Sequence, residues 1–179
     1  MNYKLYQSKE IQNNYKDFVT DCHYCHEVFT GHFDGVILKD TTWTYSLYNI
    51  FNLTSTSILF YNLFKELNSM IRDYVGNDKP LWLESWLNFH NENEVLKKHH
   101  HEFAYHGYIS IDPKNTSTVF PNFEIQNKIG QVYIGPGGTD YTHYVKVNKP
   151  FTGKRITIAF NLHDQPNKMS NNLGLMPIL

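Results

Sequence analysis

The segment KKHHHEF contains His99, His100, His101 and Glu102 in succession. In an extended chain alternate side chains share a face. His99 and His101 therefore point one way, and His100 and Glu102 the other. Either pair can offer two adjacent ligands to one metal ion. A third ligand is available in His143, which opens the alternating stretch HYVKV. Two ligands from one segment and one from a distant strand make a facial three-ligand site, which leaves coordination positions open for dioxygen and a chelating co-substrate. A run of histidines is more ordinarily a solvated loop. Here it lies between the apolar stretch ending WLNF and the one beginning YHGYISI, where the rim of a barrel would fall.

Arg155 opens a second alternating stretch, KRITIAFNL over 154–162. Arg155, Thr157, Ala159 and Asn161 share one face, and Ile156, Ile158 and Phe160 the other. An arginine facing inward among small residues calls for a carboxylate, which its planar fork grips with two parallel charge-assisted hydrogen bonds. Thr157 can add a hydroxyl to the same group. The plainer alternative is a surface arginine on an amphipathic strand. Cys22 and Cys25, in DCHYCHE, could form half a zinc site or a redox pair with His23 and His26 nearby. No second half of a zinc knuckle and no βαβ pattern accompany them, so they read as two reduced thiols.

The elements around these residues are partly legible. Ile58, Leu59, Tyr61, Leu63, Phe64, Leu67, Ile71 and Tyr74 recur at helical spacing, which predicts a helix over 55–75, capped by Thr54 or Ser55 and stopped by Gly76 and Asn77. After Pro80 short apolar and alternating runs take over: 80–90, 105–111, 116–120, 131–135, 143–147 and 154–162. Six strands at roughly ten-residue spacing imply a sandwich or barrel. Residues 1–50 predict short strands and turns, and the tail from His163 an irregular extension. The whole chain, 1–179, reads as one domain, with a β core over 80–162.

Composition sets the outer bounds. The chain has 179 residues, enough for one full core, with 41% hydrophobic, 16% aromatic and 18% charged residues. A formal net charge of −1 provides no electrostatic footprint for duplex nucleic acid. No run reaches a membrane span and the first residues lack a signal-peptide core, so the expected location is cytoplasmic.

The order of these motifs resembles the iron(II)- and 2-oxoglutarate-dependent oxygenase superfamily. The matching segments are Trp86-Leu87-Asn88, His99-His100-His101, GYISIDP over 107–113, GQVYIGPGG over 130–138, His143, and Arg155-Ile156-Thr157. The pattern is most similar to a branch found among phage and bacterial oxygenases, and the resemblance covers about residues 80–162. It implies a mainly β fold with some α: a double-stranded β-helix (jelly roll, cupin-like) with a supporting N-terminal helix. It implies iron(II) held by His99, His101 and His143, and the far carboxylate of 2-oxoglutarate held by Arg155 and Thr157. Asn88 and Tyr108 are candidates to line the pocket, chosen from a wider set with Trp86, Tyr105, His106 and Tyr133.

One departure leaves an alternative open. The superfamily's usual first motif is His-x-Asp or His-x-Glu, a spelling that His100 and Glu102 satisfy in the other register. The implied reaction is oxidative decarboxylation of 2-oxoglutarate coupled to C–H hydroxylation of a small-molecule or peptidyl substrate. Rival readings are a cupin-like metal enzyme that does not use 2-oxoglutarate and a non-enzymatic jelly-roll module. In the oxygenase reading the three imidazoles converge to within about 4 Å, because metal–nitrogen bonds run roughly 2.0–2.2 Å.

Overall fold

The structure is a computed structural model that describes residues 2–32, 49–94, 96–165 and 174–178. Beyond Pro80 the alternating runs become strands, as the period-2 pattern predicts. These are β2 (Leu81–His90), β3 (Tyr105–Asp112), β4 (Thr116–Val119), β5 (Glu124–Gln126), β6 (Gln131–Pro136), β7 (Tyr144–Val147) and β8 (Arg155–His163). Two further strands come from outside that span: β1 (Lys4–Gln7) and β9 (Met176–Ile178).

All strand pairings among the described residues are antiparallel and build two sheets. The larger runs β1-β6-β3-β8-β2-β9 and the smaller β5-β4-β7. Strand β8 sits centrally, between β3 and β2. Its register pairs Arg155 with His90, Thr157 with Asn88, Ala159 with Trp86 and Asn161 with Glu84. Directly opposed residues point to the same side of a sheet. One face of the large sheet thus carries Arg155, Thr157, Asn88, Tyr108, His106, Asn161 and Glu84, and looks toward the small sheet. Tyr108 and Tyr133 from this face pack with Phe120 and Ile125 in a cluster between the sheets.

The opposite face is apolar and bears the helices. Ile156, Ile158, Phe160 and Leu162 of β8 join Val132, Ile134, Ile109, Leu83 and Leu87 in one core with Phe60, Leu63, Leu67 and Ile71 of helix α4 (Ile58–Val75). The helix that the sequence predicts therefore lies on the outer face of the large sheet. It begins three residues later than expected, with Ser57 at its N-cap, because Thr54 instead closes the short helix α3 (Ile50–Leu53). Gly76 ends it in the left-handed conformation at φ 69°. Leu67 is fully buried, and its truncation to alanine would cost about 2–5 kcal/mol.

Two expectations are corrected. After the short strand β1, residues 9–32 are mostly helical and not further short strands and turns: α1 (Lys9–Asn13) is followed by α2 (Tyr15–His32). Ile11, Phe18, Cys22 and Phe29 supply the buried anchors. So few large apolar residues, spread over a polar helix, make a weak periodic signal that only contact with the sheet makes decisive. The part of that expectation covering 33–48 lies outside the described residues. The tail is also not wholly irregular. Met176–Ile178 pairs with Leu81–Leu83 as an edge strand, the kind of three-residue element that alternation cannot reveal. No helix among the described residues is long and apolar enough to cross a membrane.

Candidate metal centre

The histidine segment is an irregular loop, not a strand, and His99 alone forms a β-bridge, with His143. The two residues exchange both backbone hydrogen bonds, at 3.0 and 2.8 Å. Two residues further on, His101 turns to the same side, where Gly138 N–H donates to its carbonyl at 2.7 Å. The potential ligand atoms of His99, His101 and His143 all lie within 4.8 Å of one another. This is wider than the expected 4 Å, so the rings must close further to share one ion.

The other register is excluded. His100 and Glu102 face outward, 3.8 Å from each other, with the Glu102 side chain 86% exposed. The side alternation predicted for an extended chain thus holds through the loop.

Each of the three rings is prepared as a ligand. His99 Nδ1 is 2.7 Å from the carbonyl of Lys97, and His143 Nδ1 is 2.9 Å from that of Tyr141. A carbonyl only accepts, so Nδ1 carries the proton in both and Nε2 keeps its lone pair for a metal. Burial disfavours the imidazolium. It lowers His99, pushes His101 well below the ordinary histidine range and takes His143 down to about 4. At neutral pH the cluster is three uncharged nitrogen donors, a set suited to first-row divalent metals.

The same cavity is lined by Asn88, Tyr108, Arg155 and Thr157 and, of the wider set of candidates, by His106 but not by Trp86, Tyr105 or Tyr133. Arg155 is 1% exposed and is the largest fully buried side chain among the described residues. Burial pushes its guanidinium down to about 10, against a partly compensating effect of Tyr108. Its protein contacts are two long hydrogen bonds of 3.4 Å, from Nε to Thr116 Oγ1 and from Nη1 to Thr157 Oγ1. Among the described residues no acidic side chain pairs with it. A buried cation without a counter-ion is costly by several kcal/mol. The Tyr108 hydroxyl donates to Asn127 Oδ1 at 3.0 Å.

His106, one of the wider set of pocket candidates, sits on the inward face of β3 and stacks within 4.5 Å of His101 and 5.1 Å of His143. Leu96, Thr118 and Val145 escape sequence reasoning; with Gly107 and Ala159 they complete the lining. Gly137 and Gly138 hold the loop. A Cβ at Gly137 would stand 2.0 Å from the carbonyl oxygen of Phe103 and 2.8 Å from that of His101, so only glycine lets these backbones approach. Cys22 and Cys25 are free thiols, the first buried and the second half-buried, and among the described residues His99, His101 and His143 form the one cluster of three or more groups able to hold a metal.

No family model matches the chain, and no curated protein matches its sequence. Solved structures do match. The non-heme alpha-ketoglutarate-dependent epimerase SnoN of nogalamycin biosynthesis superposes with a TM-score of 0.55 at 11% identity, covering 97% of this chain and 88% of that one. A Shewanella oneidensis protein assigned as an oxygenase gives 0.50 at 9% identity, over 92% and 83% of the two chains. A Caulobacter crescentus protein assigned to the 2OG-Fe(II) oxygenase family gives 0.48 at 10%, over 90% and 77%. At such identities the likeness is one of fold, and it supports the double-stranded β-helix.

Proposed function

We propose that this chain is an iron(II)- and 2-oxoglutarate-dependent oxygenase acting on a small-molecule or peptidyl substrate. The observation that carries the reading is the meeting, in one buried cavity, of three neutral imidazoles and a guanidinium with no acidic partner among the described residues. A metal site alone would need no Arg155. An arginine placed for structure alone would be expected to have a carboxylate beside it.

In this reading His99, His101 and His143 hold the iron through one face, and Arg155 with Thr157 grips the far carboxylate of 2-oxoglutarate. When bound, iron(II) and 2-oxoglutarate would supply the electrons with which dioxygen is split: one oxygen atom would end in the succinate formed with carbon dioxide from 2-oxoglutarate, the other in the hydroxylated C–H bond of the substrate. The chain's own contribution is positional. The two backbone carbonyls fix the imidazole tautomers, β8 aligns the anion-binding pair along the cavity, and Asn88 and Tyr108 shape its walls. The cavity is narrow, about 20 Å³, room for a water but not for an organic acid. Entry of the co-substrate therefore requires lining side chains to swing outward, and closure behind it keeps water from the reaction.

Hydroxylation is the proposed outcome, although SnoN, with the same fold, is an epimerase. The test is anaerobic titration with iron(II) and 2-oxoglutarate. A weak charge-transfer absorption requiring both components is expected. Metal binding without that band would reduce the protein to a cupin-like metal site, and no metal binding at all would remove the proposal.

A further inference from the structure

Behind the candidate metal site lies a buried polar group that the proposed chemistry does not use. Glu84 on β2 and Asn161 on β8 are cross-strand partners. Asn161 Nδ2 donates to Glu84 Oε2 at 2.9 Å, and His163 Nε2 lies 2.9 Å from the same oxygen. The Glu84 and His163 side chains are 7% and 3% exposed, with Phe103 packed over His163 at 4.2 Å. A carboxylate in this arrangement accepts, so the NH₂ end of the Asn161 amide must face Glu84. Its Oδ1 is then turned the other way. That oxygen is buried and makes no well-formed hydrogen bond, and the Asn161 side chain lies near enough to the His101 ring to influence it.

We propose that Glu84, through Asn161, is a positioning relay for His101: the amide oxygen accepts a hydrogen bond from the N–H of the ring nitrogen turned away from the metal, and so leaves the other nitrogen's lone pair aimed at it. This rests on the metal-centre reading. It completes a pattern, since His99 and His143 have their second nitrogens held by backbone carbonyls, whereas His101 depends on a side chain. It also brings a buried carboxylate to the site one layer behind ligands that are all neutral. Partners of this kind typically govern metal affinity by 10–100-fold.

The test uses Co(II), whose d–d absorption reports ligand geometry, added to the full chain. Four proteins are compared: parent, Asn161→Leu, Glu84→Gln, and the double exchange Asn161→Asp/Glu84→Gln. Asn161→Leu should bind Co(II) on the order of 10–100-fold more weakly with an altered d–d band. Glu84→Gln can donate toward Asn161 and let the amide flip, so it should weaken binding on the order of tenfold. The double exchange restores an acceptor toward His101 and a donor toward that acceptor. It should recover affinity to within a few-fold of the parent, a rescue that a purely structural role does not predict. Metal-free circular dichroism identifies variants that fail to fold; if Asn161→Leu is lost this way, Glu84→Gln and the double exchange decide. Folded single variants that bind Co(II) like the parent, or a double exchange no better than Glu84→Gln, would overturn the relay. A parent that binds no metal would overturn the metal centre with it.

Discussion

His99 and His143 are joined backbone to backbone: each N–H donates to the other's carbonyl, at 3.0 and 2.8 Å. This one bridge ties the histidine loop to the start of β7 and sets the spacing of two ligands before any metal arrives. Such preorganisation makes the site sensitive to single changes whose effects can be separated.

Replacing His101 or His143 by alanine should abolish tight Co(II) binding, because two remaining imidazoles cannot define a face. His100→Ala should bind as the parent does, since that ring is on the surface. Isothermal titration of the three variants checks this, and equal losses at 100 and 101 would restore the discarded register.

Arg155→Ala should raise the dissociation constant of 2-oxoglutarate on the order of a hundredfold, about 2.7 kcal/mol, with metal affinity nearly unchanged. Removing a buried uncompensated cation should at the same time leave the ligand-free fold as stable or more stable. Thermal melting with and without the dicarboxylate reads both effects. Undiminished 2-oxoglutarate binding would refute the assigned role.

The metal-free protein should lose stability as pH falls from about 6.5 toward 4. Above that window His143 is neutral in both folded and unfolded chains. Within it the unfolded chain takes up a proton that the folded one, with His143 held down to about 4 by burial, refuses. Below about 4 this contribution levels off. His99 and His101 act in the same direction. Urea midpoints across the range should show the decline, flattened in His143→Asn; a midpoint rising on acidification would contradict the sign.

Gly137→Ala should weaken metal binding by at least about tenfold, because its new carbon meets backbone oxygens of Phe103 and His101 that cannot turn aside. Gly31→Ala is the control. Nothing lies within 4 Å of its added carbon, and in a helix the exchange should gain up to about 1 kcal/mol. Similar behaviour of the two would mean that the turn does not support the histidine loop.

The sequence by itself determined the β core, the helix over its outer face and the short set of residues from which the site is drawn. Period-2 alternation along 154–162 assigns Arg155, Thr157 and Asn161 to one face whatever the strand's neighbours, and alternation in HHH separates His99 and His101 from His100. These are local geometric consequences of an extended chain. Tertiary structure decided the rest. Which histidine register faces inward depends on the bridge to His143 and on the close approach of Gly137, contacts between segments far apart in the chain. Helix α2 has too few apolar anchors to declare itself until Phe18 and Cys22 meet the core. Glu84 and Asn161 look like ordinary polar strand residues until the β2–β8 register sets them side by side, with one amide oxygen left over for His101. A linear pattern can say which way a side chain points, but what it meets there depends on how strands are paired and how loops cross them.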